Sequence, residues 1–477
     1  MRPFTLVAVL AVALVLVTGP PAAATSSGSH LWHGSVFSTG GSGDESAVAV
    51  TTDAAGQPIV VGSAITSAAG DLDIRISSWT TLGVWRWTSV ENFWDNPSNP
   101  SSDDTAAGVV VDDAARCAYV AGTTQGLTTG NDIVLLKIAD GMPGYLGGEV
   151  VWTAYASSTP SRDDEAEAVA RDKAGNVYVT GAAARADGTM DVITVKFRPN
   201  GSIAWKTRHN NSMTRFDRGL AITVSGSSVY VAGLSNRRGH GDDLVLLKYT
   251  TAGRLRWAHY FDDALNRHES VEGVAADAGA VYVCGSGKAT ATKPGDALLV
   301  KYLSDGRFAW AKWAAGGGGG NDAWSDIALD AKGRPHVTGY QTRAATGADM
   351  VTALYRTDGT RAWQVGYSVA GVKKMDAGTG LAVDANGRTY VSGYRTGSDG
   401  DTEAVAVEYG TTGTTLWSTW YPDPVEYPID PWRETDAGPD WATDIALSRS
   451  YAYVVGGQEV DHAPGLDTDV FVLAIQR

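Results

Sequence analysis

Hydrophobic and polar residues alternate along this chain in short runs, and the runs recur. One clear copy opens with Ala168-Val169-Ala170 and the turn Asp172-Lys173-Ala174-Gly175-Asn176. Val177-Tyr178-Val179-Thr180-Gly181 follows, then a loop, then Asp191-Val192-Ile193-Thr194-Val195-Lys196-Phe197. A second turn at Asn200-Gly201 leads to Ala204-Trp205. Period-two alternation rich in β-branched and aromatic residues predicts strands, and the Gly, Asp and Asn turns between them predict hairpins. Each unit therefore predicts four short antiparallel strands.

Two residues mark the repeat. A Gly ends the second strand at Gly62, Gly122, Gly181, Gly233, Gly285, Gly339, Gly393 and Gly456. A Trp sits in the fourth strand at Trp32, Trp87, Trp152, Trp205, Trp257, Trp310, Trp363 and Trp417. Each set has eight members, spaced 52 to 65 residues apart. Four strands in a unit of this length predict a propeller blade, and eight units predict an all-β, eight-bladed β-propeller. The last unit stops short of its Trp strand, while an unmatched Trp strand stands at Leu31-Trp32-His33. The N-terminal strand is thus expected to complete the final blade and remove the open edges of the array. Small residues in the first strand place it innermost. The Trp strand is outermost, its ring wedged between blades.

Units such as Ala382-Val383-Asp384-Ala385-Asn386-Gly387-Arg388-Thr389-Tyr390-Val391-Ser392-Gly393 resemble the bacterial SBBP repeat, a β-propeller repeat of secreted and cell-surface proteins. The resemblance covers nearly the whole chain after its N-terminal segment. It implies a propeller in an extracellular setting and no defined reaction, and its family name implies seven blades where eight are counted. Tyr302-Leu303-Ser304-Asp305-Gly306-Arg307-Phe308-Ala309-Trp310 is similar to the tryptophan-docking turn of pyrroloquinoline-quinone propellers, but the adjacent Cys pair of those dehydrogenases is missing. The same segment resembles the Asp-box of sialidases with a different Asp-to-Trp spacing.

The N-terminus follows another pattern. Arg2 precedes an apolar run at 4–17, then Pro20-Pro21 and the small residues Ala22-Ala23-Ala24. This is the layout of a secretory signal peptide. Residues 1–24 are expected to be removed and 25–29 to form a short linker. A single propeller then fills 30–477, secreted and monomeric. No Cys adjoins the cleavage site, and no later run is apolar enough to span a bilayer.

Composition agrees with many short strands: 57 Gly, 16 Trp and only 19% charged residues. The formal charge of −15 argues against nucleic acid as a partner and favours solubility. The two cysteines, Cys117 and Cys284, fall at different repeat positions and are expected as buried thiols.

Binding chemistry is expected in loops on the rigid scaffold. Two connections are long and mix aromatics with acids. One, at 89–103, carries Trp94 and Asp95. The other, at 418–440, carries Tyr427, Trp432 and Asp440. Such residues suit sugar stacking with hydroxyl hydrogen bonds; equally, they could pin the loops to the disc. Glu45, Asp104, Asp164, Glu269, Asp322, Asp376 and Asp440 precede the innermost strands, with Trp324 and Trp441 close behind two of them. Superposed, Glu45, Asp164, Glu269, Asp322, Asp376 and Asp440 ring the channel mouth as candidate ligands for calcium, a hard cation; the plainer alternative is a turn-tightening role. Asp217 is expected out of this register. The Asp opening the third strand in most units, and Lys137, Lys196, Lys248 and Lys301 at its end, recur too regularly for anything but scaffold. His33 and His336 lie within strands, whereas His240 and His462 neighbour carboxylates as weak metal candidates. The run 316–320 is expected to be a flexible glycine loop without a phosphate-binding helix.

No catalytic signature is present: Gly-x-Ser-x-Gly, His-Glu-x-x-His and Cys-x-x-Cys are all missing. The first expectation is therefore a non-enzymatic propeller binding an extracellular glycan or protein through its loop face. The second is a polysaccharide hydrolase or lyase using carboxylates at the channel mouth. The third is a quinone-dependent oxidoreductase.

Overall fold

The computed structural model describes residues 30–36, 45–65, 72–91, 103–126, 130–157, 162–210, 214–237, 241–261, 269–288, 295–368, 374–397, 400–421, 440–462 and 465–477. The expected signal peptide and linker lie outside these residues. Among them every regular element is a β-strand, and no helix is long and apolar enough to cross a membrane.

The strands form antiparallel four-stranded sheets, as the alternation predicts. In one, Asp164–Arg171 pairs with Val177–Ala184, then Met190–Phe197, then Ile203–His209. Others repeat this order from Ser46–Thr52, Thr105–Asp112, Ser270–Ala276 and Ala377–Val383. One sheet of eight strands divides into two antiparallel halves at a single parallel pairing, Met190 with Phe216. The N-terminal strand His30–Val36 pairs with Gly465–Gln476, completing the last sheet as expected.

The repeated Gly has a packing cause. In every unit the first strand carries a bulge, which drives its carbonyl toward the second strand. A Cβ at Gly181 would lie 1.8 Å from the carbonyl oxygen of Glu165, and one at Gly456 1.9 Å from that of Trp441. The other six meet the same obstacle at 2.0 to 2.4 Å.

The repeated Trp joins one sheet to the next. Trp205 stacks on Gly253 of the following third-to-fourth-strand turn and donates Nε1–H to the Thr251 carbonyl at 3.1 Å. Trp32, Trp310 and Trp363 donate likewise to Thr81, Thr357 and Thr411. The repeated Lys reinforces this seam. Lys196 lies over the Tyr178 ring at 5.1 Å while its Nζ donates to Thr251, and Lys301 does the same with Tyr282 and Thr357. Cys117 and Cys284 are buried free thiols, as expected.

The run at 316–320 is not the flexible loop its composition suggested. Gly318 donates to the Thr342 carbonyl at 2.9 Å, and a Cβ at Gly316 or Gly318 would strike the backbone of Thr342 or Arg343. Glycine is needed here for close approach of two backbones.

Candidate functional site

The acids that precede the first strands share one place in the fold. Asp164 lies across from Ala183, Asp217 from Ser235 and Asp440 from Gln458, each two residues beyond the repeated Gly. Asp217 therefore belongs to the series, contrary to expectation. Cross-strand pairing sets the register, and the bulge displaces it from a straight count along the chain. The third-strand acids face the same positions: Asp191 lies across from Ala183 and Asp243 from Ser235. The backbone brings the acids of consecutive sheets side by side. Asp322 N–H donates to the Gly295 carbonyl at 2.8 Å, and Asp376 N–H to that of Ala348 at 2.6 Å.

These carboxylates do not line an open mouth. Glu45, Asp104, Asp164, Asp217, Glu269, Asp322, Asp376 and Asp440 are all buried. Both Asp322 oxygens are taken, by the N–H groups of Gly316 (2.8 Å) and Thr342 (2.5 Å). Asp376 accepts the Thr396 N–H at 2.7 Å, and Glu45 holds Arg75 at 3.0 Å. Burial next to backbone donors or an arginine gives Asp322, Asp376 and Glu45 a structural, capping role. Among the described residues no three acidic, His or Cys side chains converge where a metal ion could be held. His336 is buried against Thr389 Oγ1 at 2.7 Å, and burial lowers its pKa to about 4.

The two tryptophans part company. Trp324 is fully buried, edge-on to Tyr355, so it is core and cannot stack on a ligand. Trp441 is only half-buried, on the first strand of the last sheet. Trp94, Asp95, Tyr427 and Trp432 lie outside the described residues, as do His240 and the His462 side chain. The segments bearing the first four lead directly into Asp104-Thr105 and Asp440-Trp441.

A different set of acids stands on the middle of the first strands. On the residue before the repeated Gly, six units oppose Ala49, Gly108, Ala168, Ala221, Gly273 and Gly380. Two units place Asp326 and Asp444 there instead. Asp326 accepts the N–H groups of Ile327 (2.6 Å) and of Leu381 in the next sheet (2.7 Å). Asp444 accepts those of Ile445 (2.7 Å) and Val50 (2.9 Å). Both side chains are half-buried. Burial raises Asp326 to about 7, with the Asp444 charge adding to the effect. Burial raises Asp444 to about 6 against the two N–H donors. Glu272 is likewise raised by burial, opposed by Ser270. Sequence reading passed over these residues, although their departure from a small-residue position was a usable signal.

The same strands hold a depression of about 390 Å³, lined by Thr105, Thr123, Asn131, Glu165 and Glu167 with Val48 and small alanines. Arg218 bridges its two acids, 2.8 Å from Glu165 and 3.4 Å from Glu167. Burial raises the Glu167 pKa, with Arg218 opposing and Glu165 adding. The volume falls within the range of small-molecule sites, and the lining offers hydroxyl, amide and carboxylate groups.

The SBBP family model, described as a beta-propeller repeat, matches residues 151–183. No curated protein matches the chain. Among solved structures, the chain is similar to the WD40 domain of SCAP from fission yeast, with 11% identity and a TM-score of 0.44, covering 93% of this chain and 94% of that one. It is similar also to the periplasmic gluconolactonase PpgL of Pseudomonas aeruginosa, with 12% identity and a TM-score of 0.40, covering 75% and 98%. A subtype N10 neuraminidase-like protein of A/little yellow-shouldered bat/Guatemala/060/2010 shows 10% identity and a TM-score of 0.37, covering 65% and 93%. Residues 151–183 thus match one SBBP beta-propeller repeat, and the described strands on either side form further antiparallel four-stranded sheets.

Proposed function

We propose that the protein is a secreted, non-enzymatic propeller of eight blades, closed by its N-terminal strand, that binds an extracellular glycan on the inner wall of the ring. The observation that carries this reading is the depression lined by Thr105, Thr123, Asn131, Glu165 and Glu167. Sugars are bound through many hydroxyl hydrogen bonds, and this lining supplies donors and acceptors with little apolar surface. Trp441 gives a stacking face on the strand beside Ser46–Thr52, which itself contributes Val48 to the lining. In sequence, the long segments bearing Trp94, Asp95, Tyr427 and Trp432 lead into the first strands at Asp104 and Asp440. The eight four-stranded groups and the pairing of His30–Val36 with Gly465–Gln476 support a closed ring. The signal-peptide pattern of residues 1–24 supports export, and secreted protein beginning at Thr25 would be its sign.

Co-sedimentation with a panel of insoluble plant and microbial polysaccharides tests the reading. At least one should retain the protein, and Trp441→Ala should weaken retention. Protein left in the supernatant across the panel would point to a protein partner and against a glycan.

A second reading has one observation in its favour. Burial raises Asp326 to about 7 and Asp444 to about 6, toward the range of a general acid in polysaccharide hydrolysis or elimination. Asp326→Asn should then abolish release of reducing ends, and unchanged release would remove the pair from any reaction.

A further inference from the structure

The charge around the depression narrows the ligand. Between the buried acid that opens each first strand and the turn that ends it, the described charged side chains are Asp112, Glu165, Glu167, Arg171, Arg218, Glu272, Asp326 and Asp444. Six are acids and two are bases, and Arg171 is paired with Asp112 at 2.9 Å. At the depression the one Arg218 guanidinium is divided between Glu165 and Glu167, so the lining keeps a carboxylate in excess. A concave surface with an excess of one sign of charge concentrates its field. Sulfated and uronic-acid polymers are repelled from such a wall. Neutral sugars gain hydrogen bonds from Thr105, Thr123, Asn131 and the carboxylates but no ion pair with the excess charge.

We infer that the depression takes a glycan bearing protonated amines, an amino-sugar polymer whose nitrogens are not acetylated. The inference rests on the glycan reading above and adds the ligand's charge. An ammonium group within reach of Glu167 forms a charge-assisted hydrogen bond, roughly twice as strong as a neutral one. The hydroxyls of the same sugar meet the threonines and Asn131. An N-acetyl group removes the charge, adds bulk and leaves the carboxylate uncompensated.

The test is calorimetric titration of the purified protein with a fully deacetylated glucosamine hexamer and with the N-acetylglucosamine hexamer. The deacetylated sugar should bind at least about tenfold more tightly, and the preference should shrink as salt rises. Glu167→Gln should lower the affinity for the deacetylated hexamer by about tenfold while the melting temperature stays in place. Should that variant unfold, Glu165→Gln is read in the same way. Equal affinity for the two hexamers, or a preference indifferent to salt, overturns the inference and leaves the glycan reading intact. Failure of both hexamers and of every neutral polysaccharide to bind overturns the glycan reading itself.

Discussion

The Asp444 carboxylate accepts the backbone N–H of Val50 at 2.9 Å, joining residues from opposite ends of the chain. Thr52 Oγ1 donates to the Leu447 carbonyl nearby at 3.1 Å, and Tyr453 donates its hydroxyl proton to the Gly56 carbonyl at 2.9 Å. Asp326 makes the same bond to Leu381 within the body of the fold. Both carboxylates thus stitch the first strand of one sheet to that of another, and burial raises the pKa of both.

That arrangement gives stability a pH dependence of definite sign. The folded pKa values, about 7 for Asp326 and about 6 for Asp444, lie above the ordinary 3.8. The folded state therefore binds more protons than the unfolded state from about pH 4 to about pH 7. Stability contributed by these groups falls as pH rises through that window, on the order of 1–3 kcal/mol per carboxyl. Urea midpoints at pH 5 and pH 8 should show it. The double variant Asp326→Asn with Asp444→Asn should flatten the difference, and an equal slope in wild type and variant would remove these residues as its source.

The C-terminal residue is expected to matter more than its position suggests. Where four units place Lys over the second-strand Tyr, the unit ending at Thr415–Tyr421 has Glu408, which bonds Tyr390 and Arg388. Arg477 supplies the missing cation from the chain's end, 4.6 Å from the Tyr390 ring centre and 2.9 Å from Asp384. Arg477→Ala should cost about 1–3 kcal/mol in denaturant unfolding. A loss within roughly 0.5 kcal/mol, as at ordinary surface positions, would show that the contact is idle.

Two alanine substitutions of glycine should differ sharply. At Gly181 the new methyl would meet the Glu165 carbonyl oxygen at 1.8 Å, a clash with backbone that no rotamer relieves. We expect a loss of more than about 3 kcal/mol there, at the upper end for overpacked sites. Gly144, at φ 87° with nothing within 4 Å, faces only its own backbone preference, and Gly144→Ala should cost about 1 kcal/mol. Thermal melting of the two variants compares them directly.

The tryptophans Trp324 and Trp441 should separate in the same way. Trp324→Ala empties a fully buried site and should cost about 3–5 kcal/mol. Trp441→Ala, on a half-buried face, should leave melting nearly unchanged and weaken polysaccharide retention instead. Equal destabilisation by both would place Trp441 in the core.

The architecture was legible because its determinants recur. Gly181 and Trp205 have counterparts in every unit, so their roles could be read from repetition alone. The site was harder to read for the opposite reason. The acids at Asp164, Asp322 and Asp440 attracted attention by recurring, and recurrence marks what every sheet needs. Asp326 and Asp444 each occur once, at a position filled elsewhere by Ala or Gly, and only alignment across the first-strand bulge brings them out. Trp324 and Trp441 follow an acid at different offsets, and that difference of one residue turns one ring into the core and leaves the other partly open. Glu165, Glu167 and Arg218 come together only when two consecutive sheets are packed side by side.

Hydrogen–deuterium exchange in the presence of the most strongly retained polysaccharide tests the central claim most directly. Binding on the inner wall predicts slowed exchange at 105–107 and 165–167, with the outer strands Trp85–Glu91 and Leu255–Phe261 unaffected. Protection confined to outer strands, or none anywhere despite retention, would contradict it.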